Sequence, residues 1–63
     1  MNAVEAARKI RKNLKIHGIR GSAKVRRRYF GTFVEAKVYE TSDYHLAFDG
    51  VPYIGDDYEI LFS

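Results

Sequence analysis

The stretch "SAKVRRRYFGTFVEAKVYE", residues 22–40, decides the fold, because its side chains alternate in two runs around a single glycine. In residues 22–29 small or apolar side chains alternate with basic ones, and residues 32–40 alternate in a similar way. A period of two is typical of a β-strand with one apolar and one polar face. Gly31 lies between the runs, so the stretch predicts a tight antiparallel hairpin.

The same alternation assigns the basic side chains of the first strand to two faces. Lys24, Arg26 and Arg28 share the polar face. Arg27 falls on the apolar face with Val25. We expect Arg27 to point into or around the core, where it lies near a sheet edge, extends its charged end to solvent, or meets an acid of the second half.

Residues 2–16, upstream of the hairpin, have the periodicity of an amphipathic helix. Asn2 is a candidate N-cap with Glu5 three residues later, which is the spacing of a capping box. Gly18 is a candidate left-handed stop. The core-facing stripe of the helix consists of Ala3, Ala6, Ala7, Ile10 and Leu14. Its expected partners in the core are Val25, Val34, Val38, Leu46 and Ile60.

The sequence downstream of the hairpin reads as short strands and turns. The segments "YHLAF" (44–48) and "VPYI" (51–54) flank Asp49-Gly50, a pair typical of the type I′ turn of a second hairpin. The final run "YEILF" (58–62) is either a strand or one helical turn, and its aromatic and branched side chains favour the strand.

These elements predict an α+β fold, with one N-terminal amphipathic helix packed on a small antiparallel β-sheet of three or more strands. The fold would form a single domain over residues 1–63. Self-association would enlarge so small a core, so a homodimer is one of the states that the sequence allows. No run approaches the roughly 18–20 apolar residues of a membrane span. Because an apolar signal core and cysteine are also missing, we expect a cytoplasmic protein, in the host cytoplasm if the chain is viral.

The sequence offers few residues to a catalytic or metal site. Its two histidines, His17 and His45, lack the spacing of metal ligands, and cysteine is absent. We find no glycine-rich phosphate loop, nucleophile elbow or paired carboxylates. The expectation is therefore a binding protein that is not an enzyme and uses no cofactor and no metal.

Charge divides the chain into two halves. Residues 1–31 hold ten Lys and Arg against Glu5 alone, a formal charge of +9, whereas residues 32–63 hold Lys37 against seven acids, a formal charge of −6. Such segregation is typical of a basic surface for an anionic partner, unless the two halves neutralise each other in the fold. The candidate residues for binding nucleic acid or another partner are Arg8, Arg11, Lys12, Lys15, Lys24, Arg26, Arg28, Tyr29 and Phe30.

Two roles are open for the aromatic residues next to the arginines. Exposed rings of Tyr29 and Phe30 would stack on unpaired bases, while buried rings would pack in the core or at the hairpin tip. Phosphates would bind the cations, and the basic helix face beside the basic strand face would form a continuous patch.

Two stretches carry a family resemblance. The pattern "A-x-x-I/L-R-x-x-L-K" falls on Ala7, Ile10, Arg11, Leu14 and Lys15, and the basic strand follows. With these residues the chain resembles a small domain of the large polyvalent proteins of phages and conjugative elements, the class numbered twenty-nine. "FDGVPYI", 48–54, is similar to a later segment of that domain, with Val51 inserted before the proline. The resemblance implies a nucleic-acid-binding module of mobile elements and names no active site.

A chain of this size and class also looks like the phage accessory proteins that include anti-CRISPR and other anti-defence inhibitors. That likeness implies an alternative function, the binding of a host protein complex that processes nucleic acid. The docking surface would be the same basic one or the acidic end formed by Asp43, Asp49, Asp56 and Asp57.

Overall fold

The computed structural model describes residues 1–62, which form one α-helix, three strands and one 3₁₀ helix. In chain order they are α1 (Ala3–Ile16), β1 (Arg20–Arg28), β2 (Gly31–Tyr39), the 3₁₀ helix (Tyr44–Phe48) and β3 (Glu59–Phe62). The strands form one sheet in the order β1-β2-β3, and α1 packs on one of its faces. The predicted α+β class, with one helix on a three-stranded sheet, is confirmed.

The two ends of α1 are built from the residues that the sequence indicates. Asn2 Oδ1 accepts a hydrogen bond from the Glu5 amide at 2.9 Å, and Glu5 Oε1 accepts one from the Asn2 amide at 3.1 Å. This reciprocal pair is a capping box. At the other end Gly18 has a φ of +63°, and the Ile19 amide donates to the Leu14 carbonyl at 2.9 Å. The helix therefore ends in a Schellman motif and turns directly into β1.

The predicted hairpin forms, with Val25 opposite Val34 and Arg28 opposite Gly31. Tyr29 and Phe30 are the two residues of its loop, so Gly31 begins β2 and does not occupy the turn itself. The alternation of side chains fixed this register, because a slip by one residue would turn the apolar face of either strand away from α1.

The final run forms a strand, as predicted for residues 58–62. The sequence predicted that it would pair antiparallel, but it pairs parallel. β3 lies parallel to β2, with Phe33 opposite Glu59 and Ala36 opposite Phe62. The sheet is therefore mixed, where the sequence predicted an antiparallel one. The reason is the connection: residues 40–58 return the chain to the end of the sheet at which β2 begins, so β3 starts beside the start of β2.

The predicted second hairpin is wrong. Residues 44–48 form a 3₁₀ helix, and Ile54 makes only an isolated antiparallel bridge to Glu59. Gly50 does have a positive φ, of +74°, but Asp49 has φ −59° and ψ 124°. With the Val51 amide bonded to the Phe48 carbonyl at 3.0 Å, this is a type II turn. Contacts to α1 hold the segment in place of a pairing strand.

The core lies between α1, the covered sheet face and the 3₁₀ helix. Ile10 and Val34 are completely buried, and Ile60 is buried beside them. Val25 and Val38 are partly buried and pack against this cluster. From the 3₁₀ helix, Ala47 and Phe48 are buried in the core, whereas the expected Leu46 is only partly buried, because side chains of a 3₁₀ helix do not alternate between two faces as those of the predicted strand would. No helix among residues 1–62 has the length and apolar character needed to cross a bilayer.

Candidate nucleic-acid interface

Formal charge changes sign across the strand order of the sheet. β1 carries no acid and five cations: Arg20, Lys24, Arg26, Arg27 and Arg28. β2 carries Glu35 and Lys37, and β3 carries Glu59 alone. Because β1 is an edge strand, the most basic element of the sheet borders solvent along its free side.

Three of the strand cations face the side of the molecule opposite to the helix cations. Ala23 is buried under α1, so its neighbour Lys24 points away from the helix, together with Arg26 and Arg28. A side-by-side patch of the predicted kind does not form. The physical reason is that an amphipathic helix and an amphipathic sheet pack apolar face to apolar face, which directs their polar faces apart.

The two basic sets meet around the edge of β1. α1 lies closer to β1 than to β2, and Arg11 Nε donates a hydrogen bond to the Ala23 carbonyl at 2.8 Å. Arg8 and Lys15 lie three residues before and four residues after Arg11, on the same flank of the helix. All three side chains are exposed, as is Lys12 on the outer side of the helix. The helix therefore extends the basic edge onto the second side of the molecule.

Neutralisation between the two halves of the chain is partial. Arg26 Nε pairs with Glu35 Oε2 at 3.0 Å, and Arg20 pairs with Glu40 at 3.3 Å. Within residues 1–62 the remaining cations of the basic half have no carboxylate within ion-pair distance: Arg8, Lys9, Arg11, Lys12, Lys15, Lys24, Arg27 and Arg28. Most of the positive charge thus stays available to a partner.

The hairpin tip carries the two aromatic candidates, and both are exposed. Tyr29 is fully exposed at 101 %, and Phe30 is 66 % exposed. The rings of Tyr29 and Phe30 meet edge to face, with their centroids 5.2 Å apart. Phe30 in turn leans on Phe33 at 5.5 Å. Neither Tyr29 nor Phe30 belongs to the core, which excludes core packing as their role.

Arg27 extends to solvent at the same tip. It lies opposite Thr32 and falls on the helix-side face by alternation, yet its side chain is exposed like that of Arg28. Of the three alternatives expected for Arg27, two are observed together, a position on the edge strand and a side chain that reaches solvent, and no acid among residues 1–62 lies within ion-pair distance. Because the side chain does not enter the core, it joins Lys24, Arg26 and Arg28 as a cation of the interface.

Asp56, Asp57 and Glu59 lie at or just before β3, on the far side of β2 from β1, and two of them support the fold. Asp56 Oδ2 binds the N-terminal ammonium at 3.1 Å, and Asp57 Oδ1 accepts the Ala3 amide at 2.9 Å. Burial, followed by the charges of Asp56 and Asp57, raises the pKa of the Tyr58 hydroxyl above its ordinary value. An open groove of about 240 Å³ lies between these acids and the hairpin tip, and Phe30 and Phe33 line its other wall.

Asn13 is a buried residue that the sequence did not single out. Its Nδ2 donates to the carbonyls of Ala47 and Asp49, both at 3.0 Å, and it fastens the 3₁₀ helix to α1. The available signal was its position between Ile10 and Leu14 on the apolar stripe, where a polar side chain requires a partner.

A polar cavity of about 330 Å³ lies where α1 ends, and His17, Glu40 and Asp43 contribute to its walls. Within residues 1–62 no cluster of three or more His, Asp or Glu side chains could hold a metal ion. The cavity therefore adds no candidate metal site to the described part of the chain.

Comparisons of the chain with protein-family models, with curated proteins and with solved structures gave no match.

Proposed function

We propose that this protein binds nucleic acid, without catalysing a reaction, through the basic surface around β1. This surface, named here the β1 surface, consists of Arg8, Arg11, Lys12, Lys15, Lys24, Arg26, Arg27, Arg28, Tyr29 and Phe30. The observation that supports it is the charge segregation: most of its cations have no carboxylate of the described residues within ion-pair distance, while Asp56, Asp57 and Glu59 lie at β3, beyond β2.

Segregated charge acts on a polyanion in two ways. Cations without an internal carboxylate are free to displace the counterions of the phosphate backbone, which supplies most of the affinity of non-specific binding. The acids on the other side repel the same backbone and orient the molecule before contact. An evenly mixed surface of the same net charge would do neither.

The test is to titrate labelled single- and double-stranded DNA and RNA with the protein at several salt concentrations and to measure the affinity by fluorescence anisotropy. About five phosphate contacts would give a log–log slope near −4.5 on duplex DNA and near −3.5 on single strands. Binding weaker than micromolar at low salt, or binding insensitive to salt, would contradict the proposal.

A matched pair of charge reversals locates the surface. Arg28→Glu and Lys9→Glu change the net charge equally, but Arg28 lies on the β1 surface, while Lys9 lies on the helix flank next to Gly50. We expect Arg28→Glu to weaken binding and Lys9→Glu to retain it. Arg26 is unsuitable for reversal, because a glutamate there would face Glu35, its present ion-pair partner.

A second candidate function is the inhibition of a host complex that processes nucleic acid, as in phage anti-defence proteins. The observation in its favour is a cluster of rings that the first function leaves unused. Phe48 contacts Tyr53 and Phe62, with centroids 5.9 and 5.0 Å away, and both of these rings are more than half exposed. Exposed apolar surface of this kind is typical of a protein contact.

Co-purification from cells, with and without nuclease, separates the two candidates. Nucleic acid that is recovered with the protein and removed by nuclease supports the first, whereas a stoichiometric protein that survives nuclease supports the second. An origin in a phage or mobile element belongs to these proposals and is supported by the resemblance that the helix and the basic strand carry. A cytoplasmic location is likewise a proposal, and the absence of cysteine supports it.

A further inference from the structure

We infer that the hairpin tip holds an unpaired base by stacking it on Tyr29, so that the protein prefers single-stranded nucleic acid. The inference rests on the proposed function and adds the class of ligand and the contact that selects it. Four residues carry it: Arg27, Arg28, Tyr29 and Phe30.

The exposure of Tyr29 is the first observation. Its ring contributes no buried area to the fold, since it is 101 % exposed. Tyr58 shows the ordinary alternative in the same chain, because it is buried and its hydroxyl donates to the Pro52 carbonyl at 2.8 Å. Stability therefore does not account for an aromatic residue at position 29.

The tip also holds this ring in a defined place. Tyr29 and Phe30 form a two-residue loop closed by the pair of Arg28 and Gly31, which restrains the backbone on both sides. Phe30 meets Tyr29 at an interplanar angle of 86° and leans on Phe33. Because the rings of Phe30 and Tyr29 meet edge to face and do not stack, at least one face of the tyrosine ring stays open to a base. A pre-positioned ring loses little conformational entropy on binding.

Cations flank the ring in the arrangement that a single strand requires. Lys24, Arg26 and Arg28 point from one face of β1 and Arg27 from the other. Alternate residues of a strand are about 6.6–6.8 Å apart, which is comparable to the spacing of successive phosphates along an extended strand. Stacking rings beside a basic track are the recurring features of single-strand binding, and a duplex keeps its bases paired and out of reach.

The acids beyond the tip restrict the path of the backbone. The groove of about 240 Å³ next to Phe30 and Phe33 is bordered by Asp56, Asp57 and Glu59. Phosphates are repelled from this side, so the strand runs along β1 while one base turns toward the tip. The footprint therefore covers the β1 side only.

Affinity measurements test the contact. We expect Tyr29→Ala to weaken binding to oligodeoxythymidine by roughly 5- to 150-fold, the usual range for one stacked base, and to leave duplex binding unchanged. The matched control is Tyr53→Ala, which removes a 53 % exposed ring near β3 and should leave both affinities unchanged. Equal binding of single strands by the parent and Tyr29→Ala would overturn the inference. If the parent binds neither form, the proposed function itself has failed.

A fluorescent reporter tests the stacking directly, because the chain contains no tryptophan. In Tyr29→Trp the indole emission should be quenched by oligodeoxythymidine, while in Tyr53→Trp it should not change. Quenching at both positions, or at neither, would overturn the inference. So would a blue shift of Tyr29→Trp on anionic lipid vesicles without any response to the oligonucleotide, since the tip would then be a membrane contact.

Discussion

At the scale of single residues, Asn13 shows how one side chain fixes a segment that local sequence leaves undecided. Its amide nitrogen supplies the hydrogen bonds of two backbone carbonyls, at Ala47 and Asp49, on either side of Phe48. Buried carbonyls need such partners, and here no strand provides them. The 3₁₀ helix and the turn that follows are thereby held against α1.

We predict that Asn13→Ala lowers the free energy of unfolding by about 1–3 kcal/mol, the cost of leaving buried carbonyls unpaired. Lys12→Ala, at the neighbouring exposed position, should change it by less than about 0.5 kcal/mol. Urea unfolding of the two variants and the parent measures both values. If Asn13→Ala unfolds at the same urea concentration as Lys12→Ala, the 3₁₀ helix does not depend on this side chain.

Tyr58 gives the fold a dependence on alkaline pH. Burial and the charges of Asp56 and Asp57 raise its pKa in the folded protein, so the folded state holds the phenolic proton more tightly than the unfolded chain does. Its contribution to stability is complete below the unfolded-state value of about 10 and is lost as pH rises through the folded-state pKa.

The corresponding prediction is that Tyr58→Phe reduces the loss of stability above about pH 10 relative to the parent. The same variant should cost about 0.5–1.5 kcal/mol near neutral pH, since it removes the hydrogen bond to the Pro52 carbonyl. Thermal unfolding at a series of pH values, with Tyr53→Phe as the control, gives the comparison. A parent and a Tyr58→Phe variant with parallel alkaline profiles would contradict the assignment.

At the scale of elements, the attachment of α1 depends on two side chains of its stripe. Ile10 is completely buried and Leu14 is 5 % exposed, while much of the remaining stripe is alanine. Alanine permits close approach of the helix to the sheet but buries little area, so the two larger residues supply most of the apolar contact. Leu14 also covers Gly21: a Cβ added to Gly21 would lie 3.2 Å from Leu14 Cδ2.

We therefore expect Ile10→Ala or Leu14→Ala to cost about 2–5 kcal/mol, a large part of the total stability of so small a domain. Arg8→Ala on the exposed face serves as the control and should melt close to the parent. Circular dichroism during thermal unfolding is sufficient to rank the variants. A Leu14→Ala protein with the melting temperature of the parent would show that the helix is attached elsewhere.

The elements that could be predicted are those whose signals are local. The capping residues Asn2 and Glu5 mark where the helix begins, and the alternation on both sides of Gly31 determines the register of the hairpin. Residues 44–48 carry no such signal, because Ala47 and Phe48 turn inward through contacts with α1. The direction of β3 likewise depends on the course of residues 40–58 over the molecule, which no short pattern encodes.

At the scale of the whole molecule, the sequence indicates how much charge is separated but not how it is arranged. The +9 and −6 halves are evident in the composition of residues 1–31 and 32–63. Which cations share a side depends on which face of β1 receives the helix, a matter of packing between distant segments. The candidate residues therefore surround an edge, and a ligand that contacts both sets must pass around β1.

This arrangement leads to the last prediction, in which cations are neutralised on each side of the edge separately. Arg8→Gln with Lys15→Gln removes two from the helix flank, and Lys24→Gln with Arg28→Gln removes two from the outer sheet face. Glutamine keeps the side chains long and avoids a repulsive charge opposite Glu35. If a single strand wraps around the edge, each double variant should make the log–log salt slope shallower by about 1.4, and the combined variant by about 2.8.

The alternative geometry gives a different pattern. A strand confined to the outer sheet face would respond to the Lys24 and Arg28 changes alone and bind the helix variant like the parent, because α1 lies on the opposite side of the sheet. The salt dependence separates the two geometries more cleanly than affinity does, since each phosphate contact contributes to the slope independently of stacking at Tyr29. Equal slopes for the parent and all three variants would show that the β1 surface does not bind phosphates.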